Sequence, residues 1–172
     1  AAAGPNSEMA AAVIARDDAI DRTEITIEEE CLKILALHQP VAGDLRYIIT
    51  ILKVNGELER IGDLAVNIAR HTLDFANRRH EEVPEPVDLT EMVQLVRQML
   101  KRALDALVSR NCLDANEVMR LDGEVDVINR RVIDRAMELI GKYPQNAAYY
   151  VGAMFISRHL ERIGASTTNI CV

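Results

Sequence analysis

The chain has 172 residues and a formal net charge of −7; 49% of its residues are hydrophobic, 27% are charged and only 3% are aromatic. It is long enough to bury a sizeable core, and its richness in Ala, Leu, Ile, Arg and Glu favours helices over sheets. The acidic balance gives no general electrostatic reason to bind nucleic acid. No run of about 18 apolar residues marks a membrane span, and residues 1–6 lack the basic flank and apolar core of a signal peptide.

In chain order, Val13, Ile20, Ile27 and Ile34 recur every seven residues and predict a long helix over about 8–37. His38-Gln39-Pro40 then reads as a turn, because proline cannot continue a helix but fits the start of the next. A second helix is expected over about 42–77. It is apolar on several sides, through Leu45, Ile48 and Leu52 and through Ile51, Val54, Leu58, Ile61 and Ile68, so several neighbours should cover it. The stretch from Arg78 to Val87 is charged, aperiodic and contains Pro84 and Pro86; it reads as a linker, placed at 80–87. Asp88 with Glu91, and Asp114 with Glu117, have the spacing of helix N-caps. They bracket a helix over about 89–110. Val118, Val125, Val132 and Leu139 repeat the seven-residue stripe over about 114–141, a turn follows at Tyr143-Pro144-Gln145, and a last helix covers about 146–171.

The halves are copies of one unit. Leu58-Glu59-Arg60-Ile61-Gly62-Asp63 returns as Leu160-Glu161-Arg162-Ile163-Gly164-Ala165, and Asn67-Ile68 returns as Asn169-Ile170. One constant shift places Asp17 on Asp122, Asp21 on Asp126 and Ile20 on Val125. Residues 1–79 and 88–172 are therefore expected to be two helical bundles. The second holds three helices and the first shows two, so a helix equivalent to 89–110 is expected ahead of Asn6, and the chain is expected to be incomplete there. It also stops, at Cys171-Val172, inside a helical pattern.

The acids are the chemical signal. Asp17 and Asp21 lie one turn apart on one face, and Glu59, Asp63 and Asn67 form a second ladder at i, i+4, i+8. Converging carboxylates repel and call for a cation or an arginine. Such oxygen-only ligands suit magnesium, calcium, manganese or iron. The alternative is that these acids are solvated or paired with Arg16, Arg22 and Arg60. In the second half Asp122, Asp126 and Glu161 remain, but Ala165 stands where an Asp is expected. None of His38, His71, His80 and His159 lies three residues after a Glu, which speaks against a ferritin-like di-iron bundle. Cys31, Cys112 and Cys171 have no metal-finger spacing, and Cys31 sits on an apolar stripe as a reduced thiol. Gly56, Gly62 and Gly164 interrupt helices and suggest close helix–helix approach. Arg46, Arg60 and Arg162 read as partner contacts or intramolecular ion pairs.

Gln39-Pro40-Val41-Ala42-Gly43-Asp44-Leu45-Arg46, the two Leu-Glu-Arg-Ile-Gly strings and Asn169-Ile170 together resemble the PhoU family of phosphate-signalling regulators. The resemblance spans nearly the whole chain. It implies an all-α fold of two tandem three-helix bundles, here without the first helix. It implies a cytoplasmic, non-catalytic negative regulator of phosphate uptake and of the transcriptional response to phosphate starvation. Its expected partners are the ATPase subunit of an ABC phosphate transporter and a sensor histidine kinase; it would be a homodimer, peripheral to the membrane through those partners. The metal role of the family (iron, manganese, magnesium or zinc) carries by position to Asp17, Asp21, Glu59, Asp63, Asp122, Asp126 and Glu161. A carboxylate-bridged storage or redox bundle and a metal-free helical adaptor remain the alternatives.

Overall fold

The computed structural model describes residues 5–77, 82–109 and 113–171. Five helices follow one another: α1 (Pro5–His38), α2 (Ala42–Asn77), α3 (Thr90–Ser109), α4 (Leu113–Lys142) and α5 (Ala147–Ile170), with a 3₁₀ turn at Pro144–Asn146 before α5. No strand occurs among the described residues. α1 packs on α2; α3, α4 and α5 pack on one another; α2 packs on α5 and joins the two halves. Cys112, linker residues 78–81 and the side chain of Asp114 lie outside the described residues.

The prolines set the turns where the sequence places them. Gln39, just before Pro40, has φ 44° and donates its N–H to Leu35 O at 3.3 Å. This is a left-handed cap of the kind usually given to glycine. Pro144 opens the 3₁₀ turn ahead of α5. Asp88 caps α3: its Oδ1 accepts the Thr90 N–H at 2.9 Å.

The two seven-residue stripes differ in burial. On α4, Val118 and Val125 are 0% exposed, Leu139 1% and Val132 5%. On α1, Val13 is 37% exposed, Ile20 40% and Ile34 41%. The expectation that both stripes are packed in a bundle holds only for α4. The reason is the number of neighbours: among the described residues α4 meets α3 and α5, whereas α1 meets α2 alone. Met92, Met99 and Tyr150 are fully buried in the second half, each contributing about 1.5–3 kcal/mol by area removed from water.

Polar ties repeat across the halves. The buried Asn55 of α2 donates its Nδ2–H to Glu24 O of α1 at 2.8 Å. At the equivalent place the Ser157 hydroxyl of α5 donates to Asn129 Oδ1 of α4 at 2.7 Å. The later part of the linker is bound to the second half. Glu85 accepts from Arg135 at 2.5 Å, from the Tyr143 hydroxyl at 2.9 Å and from Lys142. These donors hold its carboxyl below the usual range, Lys142 first and Tyr143 next. Asn146 donates to Glu82 O at 3.1 Å.

Three glycines mark close packing, but not the three expected. A Cβ on Gly56 would meet nothing within 4 Å, so that position is not a helix contact. Gly62 and Gly164 are. Gly152, unnoticed in the sequence, is the tightest: its Cβ would lie 2.4 Å from the Phe75 ring. Phe75 packs against Tyr149 with ring centroids 5.0 Å apart and planes tilted by 41°, and closes one end of the α2–α5 seam. Gly152→Ala should force that ring aside and cost about 1–3 kcal/mol, as overpacking of a well-filled site does. Urea unfolding measures this, and Phe75→Leu in the same chain should recover part of the loss. An unchanged midpoint for Gly152→Ala would contradict the packing described.

Candidate functional site: two acidic ladders

Gly62 and Gly164 do the same job in the two halves. A Cβ on Gly62 would stand 3.3 Å from Ile20 Cδ1 and 3.6 Å from Asp17 Oδ1. A Cβ on Gly164 would stand 3.1 Å from Asp122 Oδ1 and 3.7 Å from Val125 Cγ1. The pairs Asp17/Asp122 and Ile20/Val125 are those the repeat superposes. Glycine thus lets an aspartate of the outer helix come against the backbone of the inner one. The carboxylate Glu59 or Glu161 lies on the inner helix, three residues before the glycine.

The electrostatics show that the ladders meet. Burial raises the Asp17 carboxyl above its ordinary value; Asp21 and Asp63 raise it further, while Arg70 pulls it back. Burial likewise raises Glu59, followed by Asp63, Asp21, Glu24 and Asp17. In the second half burial raises Asp122, then Asp126 and Glu161. So Asp17, Asp21, Glu59 and Asp63 form one cluster, and Asp122, Asp126 and Glu161 the other. The pairing of these acids with Arg16, Arg22 or Arg60 does not occur among the described residues; the cation Asp17 senses is Arg70, about two turns beyond Asp63. Glu161 Oε2 is buried without a hydrogen-bond partner. Arg158 Nε lies 3.8 Å from it, an ion pair by distance but too long for a hydrogen bond.

An orphaned carboxylate oxygen among like charges is the donor chemistry a hard cation satisfies. As the side chains stand, no three His, Cys, Asp or Glu among the described residues gather closely enough to hold one ion. The donor chemistry suits a hard cation, while the described side chains do not converge on one point.

A second feature of the seam was not legible from local motifs. His71 of α2 stacks on Phe155 of α5, centroids 5.4 Å apart, and on His159 at 5.7 Å. His159 thus packs in the seam. Burial lowers its pKa, with His71 and Arg162 adding to the effect. Cys31 is a buried free thiol, as expected.

Comparison with known proteins agrees with this geometry. The PhoU domain model matches residues 1–72 and 89–172. The chain belongs to the PhoU family. It is 34% identical over 167 residues to the phosphate-specific transport system accessory protein PhoU homolog of Clostridium acetobutylicum, covering 96% of this chain and 75% of that protein. It is 34% identical over 166 residues to PhoU of Escherichia coli K12, covering 96% and 68%. The crystal structure of PhoU from Pseudomonas aeruginosa superposes with a TM-score of 0.90 at 34% identity, covering 96% of this chain and 78% of that one. The regulatory protein PhoU of Streptococcus pneumoniae superposes at 0.84 with 28% identity, covering 96% and 76%. The matched segments are the two halves of the repeat, and the unmatched 73–88 contains the linker. The relatives it matches are named accessory proteins of a phosphate-specific transport system, and the Streptococcus pneumoniae neighbour a phosphate transport system regulatory protein. Among the described residues no helix is long and apolar enough to cross a membrane.

The raised carboxyls have a consequence for stability. A folded-state pKa above the unfolded one means that the folded protein holds the proton more tightly. The contribution is favourable below the ordinary carboxylate value and is lost as pH rises through the raised one. At neutral pH Asp122 therefore opposes folding. In chelator-treated protein Asp122→Asn should raise the thermal midpoint at pH 7, and the gain should close by about pH 4, near the ordinary carboxylate range. A thermal scan across pH checks this; no gain at pH 7, or a gain undiminished in acid, would contradict it.

Proposed function

We propose that this PhoU-family protein is a cytoplasmic, non-catalytic regulator that represses phosphate uptake and the phosphate-starvation response when phosphate is ample. It acts by contact with the ATPase subunit of an ABC phosphate transporter and with a sensor histidine kinase. Homodimerisation belongs to the same reading, as does attachment to the membrane only through partners. The observation that carries it is the doubled acidic motif, each copy set against an aspartate of the neighbouring helix. That motif sits in a chain matching phosphate-specific transport accessory proteins along nearly its whole length.

Metal binding is part of this proposal. Asp17, Asp21, Glu59 and Asp63 would hold one site, and Asp122, Asp126 and Glu161 a second. Iron, manganese, magnesium or zinc bound there supplies positive charge among acids that otherwise repel. The protein's own part is to hold Asp17 and Asp122 against glycine backbone, and to keep Glu161 Oε2 buried without a hydrogen bond, with Arg158 at 3.8 Å its one near cation among the described residues.

The regulatory reading is tested in cells. Deleting the protein should raise phosphate uptake and a starvation-promoter reporter in high phosphate, and the purified transporter ATPase subunit should retain it on a column. Unchanged uptake and reporter would refute the reading. The metal assignment is tested separately by calorimetric titration of chelator-treated protein. The first site, with four acids, should fill before the second, because fewer anionic ligands mean weaker binding of a hard cation. Ala165→Asp should tighten the second site alone, and Glu59→Ala with Asp63→Ala should empty the first. Equal filling of both halves in the wild type, or no gain on adding the carboxylate, would remove these residues as ligands.

A further inference from the structure

Arg60 and Arg162 directly follow the motif glutamates, yet the acidic clusters do not use them. Two residues before each glycine, they point about 200° around the helix from it, away from α1 and α4. Both are exposed, and neither forms an ion pair among the described residues. Lys53 on α2 is likewise exposed without an ion pair. Arg158 on α5 is exposed and only distantly engaged with Glu161. Beside them on α5, Phe155 is 52% exposed and Val151 40%.

These residues share one face. α2 and α5 run antiparallel: Glu57 meets Asn169 at one end of the seam, and Phe75 meets Tyr149 at the other. Two equivalent antiparallel helices in contact are related by a two-fold axis normal to their plane. Equivalent stripes therefore emerge on the same side. Lys53, Arg60, Phe155, Arg158 and Arg162 form a basic strip with an apolar anchor along the middle of this side. The acidic ladders run along its two edges. Acids are not absent from the strip, since Glu161 lies 3.8 Å from Arg158 and Glu57 lines the same groove as Lys53; but in a chain of net charge −7, Arg60 and Arg162 stand exposed with no ion pair among the described residues.

We infer that this central α2–α5 strip docks an acidic helical segment of a partner protein, with an apolar side chain seated by Phe155. The shape decides against a membrane. A flat anionic bilayer would press its headgroups on the acidic edges as well, whereas one helix, about 10–12 Å across, lies between them. Guanidinium groups also pair with carboxylates in a planar, two-bonded fashion. The inference deepens the protein-contact reading above and rests on it.

The probe is a synthetic 20-residue helical peptide carrying Glu at i, i+4 spacing and one Leu row. It should bind the full chain, more weakly as salt is raised. Arg60→Glu with Arg162→Glu should weaken binding at least about tenfold, since close charge pairs at interfaces carry that much. Arg60→Lys with Arg162→Lys should keep part of it. The control Arg97→Glu with Lys101→Glu, on exposed α3 positions, makes the same change in net charge and should alter affinity by less than about twofold. Circular dichroism confirms that each variant is folded. No binding by the wild type, an equal loss in the control, or capture by phosphatidylglycerol vesicles without capture of the peptide would each overturn the inference. If the transporter ATPase subunit binds the wild type and the reversed variant equally, the surface assignment fails while the regulatory reading stands.

Discussion

The packing of α2 against α5 is the constraint on which the rest of the molecule depends. It is the helix contact that joins the halves, and it obliges α2 to serve α1 on one side and α5 on another. A helix so placed must be apolar around much of its circumference. It must also present small residues where neighbours come close. Gly62 faces Asp17 and Ile20; Gly164 faces Asp122 and Val125; Gly152 admits Phe75. Chemistry enters through the same device, because the space that glycine leaves is where an aspartate of the outer helix rests.

The acids illustrate how a fold tolerates an unfavourable arrangement when its scaffold is secure. Asp122 and Glu161 sit beside a core that includes the fully buried Val118, Val125 and Met99. That core can bear the repulsion at neutral pH. Asp17 and Glu59 are half-buried, as Asp122 and Glu161 are, but the α1 stripe behind Asp17 is partly exposed. The two clusters thus share a motif but differ in the number of acids and in the packing behind them.

Much of this was legible in the residues. Seven-residue stripes, prolines at the turns and a duplicated hexapeptide gave five helices within three residues of their observed ends, and the constant shift paired Asp17 with Asp122 correctly. What was hidden depended on distant chain segments. No local pattern reveals that Phe75 fills the space above Gly152, that Glu85 is gripped by Arg135, Lys142 and Tyr143, or that His71 stacks on Phe155 and His159. Periodicity identified which residues of α1 share a face, but not that this face has one neighbour where its counterpart has two. Gly56 carried the same signal as Gly62 and had no contact, because a glycine in a sequence does not say which way it points.

The one-sided support of α1 bears on how the protein comes apart. A helix of 34 residues leaning on a single neighbour has fewer buried contacts to lose than α4 between α3 and α5. Local openings take the path of least burial. Amide hydrogens along α1 therefore exchange with solvent ahead of those in α4, through partial unfolding that leaves α3–α5 standing. Asp17 and Asp21 lie on the part that peels away, and Glu59 and Asp63 on the part that stays. A cation held across that boundary, as proposed, would bind the closed form alone and so draw the opening equilibrium shut by mass action. Coordination would then give α1 what a third helix gives α4.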